Sequence, residues 1–169
     1  MSCRTFLAII GLTAVAATAS ADGVAYARAK SPSPIEGTWV VSTSPYNCQT
    51  GVVFPFTIVS YITFGARGVL SEANSSPSFQ PGQRSAGHGY WERTGTNSYR
   101  AVFQAFIQFT SVVSPPALPQ YTRGSQRFEH GIVMSDNDHW SSTAIVSFQD
   151  EGSTTPRNGC AVSTAERLR

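Results

Sequence analysis

Charge is scarce in this sequence: only 13% of the 169 residues are Asp, Glu, Lys or Arg, and the formal net charge is +2. The basic residues are scattered, with Arg123 and Arg127 the nearest approach to a cluster, so neither nucleic acid nor an anionic membrane surface is an expected partner. Cysteine and histidine are just as sparse, with three of each. No C-x-x-C, H-E-x-x-H or G-x-S-x-G occurs, and there is no phosphate-binding glycine loop. The common hydrolase, metalloprotease and nucleotide signatures are therefore missing, and neither a metal nor a cofactor is expected. Also lacking is any stretch with the apolar period and caps of an amphipathic helix. At most, a turn or two of helix could fit 161–169.

One long apolar run exists, at the start. Arg4 precedes an uncharged stretch from Phe6 to Ala17, and Ala19-Ser20-Ala21 follows as an A-x-A cleavage site. That order is a secretory leader over residues 1–21. The run is short for a membrane span, and Asp22 follows at once. The processed chain is thus expected to be secreted or periplasmic, without a membrane span. Cys3 leaves with the leader, and the remaining pair, Cys48 and Cys160, reads as a disulfide in an oxidising compartment. The chain-entropy model assigns so long a loop about 4–5 kcal/mol, an upper bound because native strain subtracts from it. Residues 22–34, rich first in Ala and then in Pro and Ser, are expected to be a disordered lead-in, and 35–169 to be one β-barrel domain.

What is present from Ile35 onward is alternation. Ile35, Gly37, Trp39 and Val41 share one parity and Glu36 and Thr38 the other, as in a half-buried strand. Val52–Phe64 puts Val52, Phe54, Phe56, Ile58, Ile62 and Phe64 on one face, with Pro55 suggesting an edge or bulge near its start. Short strands follow at Val69–Ala73 and Gly87–Arg93, separated by a polar loop from Asn74 to Arg84. Tyr99–Thr110 directs Tyr99, Ala101, Phe103, Ala105, Ile107 and Phe109 one way, and Phe106 is an outward exception. Val113–Gln120, with three prolines, is a loop. Tyr121–Ser135, a seventh strand around Trp140, Ala144, Val146 and Phe148, and a short eighth over Cys160–Arg167 complete the set. Eight sequential strands joined by short turns predict an all-β, up-and-down antiparallel barrel, with a two-sheet sandwich as the alternative.

Gly37-x-Trp39 on the opening strand, the eight alternating strands, the Cys pair and the late Arg167 together resemble the lipocalins and the wider calycin group of small barrels. The resemblance implies that Arg167 packs across Trp39 and closes the barrel around Gly37. It also implies an interior site for a small hydrophobic molecule, whose lining would be drawn from the inward set: Trp39, Phe54, Phe56, Ile58, Leu70, Trp91, Phe103, Ile107, His130, Ile132 and Val146. The T-D-Y motif and the long C-terminal helix of classical lipocalins are absent. Related haem-binding barrels use a His near the C-terminus, and none follows His139 here.

The same inward residues would serve equally as core filler. His130 has the inward parity of Phe128 and Ile132, whereas His88 and His139 are expected at the surface. A lone inward His is usually a hydrogen-bonded core residue, and its functional readings are a polar anchor for a ligand or an acid/base group. Glu72 shares a parity with Leu70, so Glu72 and His130 are the candidate catalytic pair should the interior guide a cyclase- or isomerase-type reaction. Glu92 and Glu129 face outward. Three functions follow in order: a non-catalytic exported barrel holding a small apolar ligand, a barrel enzyme, or a cell-envelope structural or interaction domain with a filled core.

Overall fold

The structure, a computed structural model, describes residues 32–76, 79–111 and 120–169. The expected leader and most of the expected lead-in (22–31) lie outside the described residues, as does 113–119 of the proline-rich loop. Eight strands run in sequence: β1 (Gly37–Tyr46), β2 (Ile58–Phe64), β3 (Val69–Asn74), β4 (Gly87–Arg93), β5 (Ser98–Ser111), β6 (Gln120–Met134), β7 (His139–Asp150) and β8 (Arg157–Arg167). Each pairs antiparallel with the next, and β8 returns to β1, giving a closed up-and-down barrel. Closure leaves no unpaired sheet edge. Among the described residues no helix is long and apolar enough to cross a membrane.

The connections differ between the two ends. Short turns at 65–68, 94–97 and 135–138 gather at the end where β1 begins and β8 finishes, here the base. The links 47–57, 75–86 and 151–156 gather at the opposite end, the mouth. Pro32–Glu36 adds a turn at the base: the Glu36 amide donates to the Ser33 carbonyl at 2.8 Å, and the Ser33 amide to Glu36 Oε1 at 3.1 Å. Ile35 is fully buried there. Ser33 and Pro34, placed by the sequence in the lead-in, therefore belong to the fold.

The base is filled by aromatic rings meeting edge to face. Trp39 meets Trp140 at 6.1 Å between centroids, Trp140 meets Phe64 at 6.3 Å, Phe64 meets Trp91 at 6.2 Å, and Trp91 meets Tyr99 at 5.9 Å. Such contacts suit the ring quadrupoles and add about 0.5–1.5 kcal/mol per pair beyond area burial. Two of the indoles also satisfy their polar atom: Trp39 Nε1 donates to the Ile35 carbonyl at 2.8 Å and Trp91 Nε1 to the Gly65 carbonyl at 2.9 Å. Small residues on neighbouring strands (Ala101, Ala144, Ala161, Ala165) leave room for these rings.

Arg167 seals this end. It stands opposite Trp39 in the β1–β8 ladder, with its guanidinium carbon 4.2 Å from the indole centroid. Its nitrogens donate to the carbonyls of Asn137 (2.9 Å), Glu36 (2.9 Å) and Pro34 (2.5 Å). One side chain thus ties the N-terminal turn and the β6–β7 turn across the first tryptophan. Gly37 is required beneath it. Its φ is +129°, a conformation L side chains rarely adopt, and a Cβ there would lie 2.7 Å from Arg167 Nη1.

Several expectations differ from the structure in instructive ways. Val52–Phe56 is not strand: β2 starts at Ile58, and Val52, Phe54 and Phe56 are exposed in a mouth loop. Pro55 has no N–H to give a ladder, and the Phe56 amide turns back to the Phe54 carbonyl at 2.8 Å. The chain end forms strand β8 to Arg167, with no helical turn. Phe106 is exposed on the outer face. Val102, also outward by parity, is only 2% exposed. Its register partners are Tyr90 and Glu129, and Arg100 bonds to both of them across it.

The closing contact yields a direct prediction. Arg167→Lys keeps the charge and loses the planar fork, so it should destabilise by about 1–3 kcal/mol, read as a lower urea midpoint. Lys at this position with no loss of stability would show that the guanidinium geometry is not what closes the base.

Candidate functional site

Above the aromatic base the interior turns polar. Glu72 on β3, Gln126 and His130 on β6, Ser142 on β7, Ser163 on β8, Ser60 on β2 and Thr43 on β1 are all buried. Arg84, from the loop preceding β4, enters this layer as well. Its Nη1 lies 2.9 Å from Glu72 Oε2, and its Nε donates to Gln126 Oε1 at 2.6 Å. The two charged side chains are 4% and 1% exposed. An ion pair this deep has a large desolvation cost, only partly recovered here, since the buried Arg84 Nη2 has no partner within the protein.

Arg84 was assigned to a polar loop by its sequence, and its inward position comes from a register slip. His88 opposes Gln104 in the β4–β5 ladder, while Arg84 bridges Ile107. Four residues on one side are matched to three on the other, a bulge that reverses the parity of everything before it. Gly87 gives the pair space, since a Cβ there would meet Glu72 Oε2 at 2.8 Å.

His130 is 2% exposed and stacks with Phe128 and Phe103, each at 5.7 Å between centroids. Its Nδ1 shares a hydrogen bond with Ser142 Oγ at 3.0 Å, and its Nε2 has no partner within the protein. Burial alone pulls this imidazole down to about 4, so it is neutral at neutral pH. Glu72 is paired with Arg84 and His130 with Ser142, and no hydrogen bond joins Glu72 to His130.

Of the cavities that adjoin this layer, two share barrel-wall residues with one another. The larger, of about 240 Å³, sits at the mouth and is almost wholly apolar. Gln126, Phe128, Val146 and Ala161 contribute from the barrel wall, and Phe54, Phe56 and Phe79 from the mouth loops. Phe54 and Phe56, stacked on one another at 6.1 Å, remain 43% and 42% exposed. The smaller, of about 10 Å³, lies among Thr43, Ser60, Glu72, Asn74, Phe103 and His130. Thr43, Ile58 and Phe128 line both.

Cys48 and Cys160 form a disulfide with Cα atoms 5.2 Å apart. It fastens the loop carrying Phe54 and Phe56 to β8, and Cys160 itself lines the larger cavity. Asn47 shapes the same loop, its Oδ1 accepting from the amides of Gln49 (2.8 Å) and Thr50 (3.1 Å).

Of the residues expected to line a ligand site, Phe54, Phe56, Ile58 and Val146 border the larger cavity, and Ile58, Phe103 and His130 the smaller. Trp39, Leu70, Trp91 and Ile132 belong to the packed core and border neither, nor does the buried Ile107. Residues not singled out from sequence include Thr43, Tyr46, Phe79, Gln126, Phe128 and Phe148. Phe128 and Phe148 carried the inward parity but no sign of their height along the barrel. Among the described residues, no group of three or more His, Cys, Asp or Glu is placed to hold a metal.

Fold and site together define a class: a closed eight-stranded antiparallel barrel with a sealed aromatic base, a buried polar layer and an apolar cavity at its mouth. No family model matches the chain, and no curated protein matches it.

Two predictions test the polar layer. With a folded pKa of about 4 against about 6.5 unfolded, His130 stabilises the fold fully above pH 6.5 and progressively less as pH falls toward 4. The difference amounts to about 3 kcal/mol, so His130→Phe should flatten the stability–pH profile between pH 7 and 4 by that order in urea titrations. Parallel profiles for the two proteins would contradict this. Arg84→Met should cost about 3–5 kcal/mol by stranding a buried carboxylate, and adding Glu72→Gln should restore part of it. Strictly additive losses in that double-mutant cycle would mean the pair is not coupled.

Proposed function

We propose that this protein is an exported, non-catalytic barrel that holds a small apolar molecule in the cavity at its mouth. One observation carries the reading: about 240 Å³ of almost purely apolar space, walled by β-strand residues and rimmed by Phe54, Phe56 and Phe79. Eight-stranded barrels have an interior just large enough for side chains or one small ligand, and here the side chains fill the base and stop short of the mouth. The volume is below the usual range for drug-sized ligands and equals about eight water volumes, which suits a molecule of roughly eight to ten heavy atoms. Half-exposed aromatic rims favour uptake of apolar solutes from water, because their own burial is completed by the guest.

The lipocalin-like reading is part of this proposal, supported by the closed meander and by Arg167 over Trp39 beside Gly37. Export is part of it too, supported by the apolar leader pattern and the Cys48–Cys160 disulfide. A filled-core structural role accounts less well for an open apolar mouth. An acid/base role draws on Glu72 and His130 bordering one small void, but each is engaged with a different partner.

Native mass spectrometry of protein purified from its own host should show an added small mass that organic extraction removes. Binding of the neutral fluorophore naphthalene, whose ten carbons match the cavity's size, should weaken at least about tenfold in Val146→Trp, whose indole would occupy the cavity, while the circular dichroism spectrum is retained. Undiminished binding by a folded Val146→Trp protein would place the ligand elsewhere and sink the proposal.

A further inference from the structure

Resting on the mouth-cavity reading, we infer that the ligand is amphipathic, with one small uncharged hydrogen-bonding group, a hydroxyl or carbonyl oxygen, that His130 Nε2 receives beneath the cavity floor. Three observations carry the inference. The larger cavity offers an apolar guest almost no polar contact, so by itself it selects only for size. Directly adjoining it, and sharing Thr43, Ile58 and Phe128 as walls, is the void of about 10 Å³ bordered by His130, Ser60 and Glu72. His130 is 2% exposed, its Nδ1 is taken by Ser142, and its Nε2 is unpartnered within the protein. A buried polar atom without a partner costs about 1–3 kcal/mol, which a ligand atom placed in the void would recover.

Size and charge narrow the group. A void of this volume is at the threshold for a single water-sized atom, which fits one oxygen and excludes a carboxylate or phosphate. A carboxylate would also meet the Glu72 carboxylate across the same space. An ammonium would compete with Arg84 for Glu72, which already binds Arg84 at 2.9 Å. Burial holds His130 neutral, so the ring offers one acceptor or one donor according to tautomer and suits a neutral head. Either tautomer serves: with Nδ1–H donating to Ser142, Nε2 accepts from a hydroxyl, and with Ser142 donating, Nε2–H donates to a carbonyl.

The test uses ligands that share one chain and differ at the head: 1-heptanol, 1-chloroheptane, heptanoate and heptylamine, each titrated against bound naphthalene. 1-Heptanol should displace the probe at concentrations about tenfold lower than either charged ligand. Its affinity ratio to 1-chloroheptane should fall about five- to tenfold in His130→Phe, which keeps the aromatic stack, and should be largely kept in His130→Gln. Heptanoate or heptylamine binding more tightly than 1-heptanol to the wild-type protein would overturn the inference, even if His130→Phe failed to fold. An alcohol-to-chloride ratio unchanged in His130→Phe would overturn it while leaving the mouth-cavity reading intact. Failure of all four, and of the fluorophore, would remove that reading and the inference together.

Discussion

Arg167 over Trp39 is the contact on which the rest of the barrel depends. A meander of eight strands has two free edges until the last strand meets the first, and every residue between them must be threaded before that pairing can form. Arg167 stands where the two ends join. It brings a cation to the indole face and donates to carbonyls of the N-terminal turn and the β6–β7 turn. The glycine two residues before the tryptophan lets the guanidinium pass. The G-x-W pattern is thus a steric and electrostatic requirement of closure, with the tryptophan as platform and the glycine as clearance.

With the base sealed, the barrel divides along its axis. Interlocked aromatic rings leave no space at the bottom. The middle layer holds a buried ion pair, a neutral histidine and several hydroxyls. Above it the interior opens into an apolar cavity under the loops of the mouth. Stability and candidate function are therefore separated by height within one fold, since the turns at the base are short and the connections at the mouth are longer. The disulfide belongs to the upper half, where it holds a loop that is otherwise exposed and makes few buried contacts.

The middle layer is expensive to keep. An apolar substitute for the Arg84–Glu72 pair would avoid the desolvation of two charges, and a phenylalanine would pack in place of His130 without an unpaired nitrogen. Stability alone does not account for such groups beneath an apolar cavity. A requirement to recognise one polar atom at the end of an apolar guest would.

Local sequence determined the period-2 alternation, and through it the all-β class, the strand count and the inward parity of Glu72, His130 and most of the aromatic set, while barrel and two-sheet sandwich both satisfied that alternation until the last strand met the first. It also marked Gly37, Trp39, Arg167 and the Cys48–Cys160 pair, since each leaves a trace in residue type and position. Height along the barrel was not legible. Trp39, Leu70, Trp91, Ile107 and Ile132 have the same parity signature as Val146 and Phe128, yet only the latter two border the cavity. Parity is set by the pleat of one strand, whereas height follows from the stagger of each strand against its neighbours around the closed sheet. Arg84 shows the same division. One extra residue in the pairing beside β5 turned a loop arginine inward onto Glu72, and pairing register exists only once two strands have met.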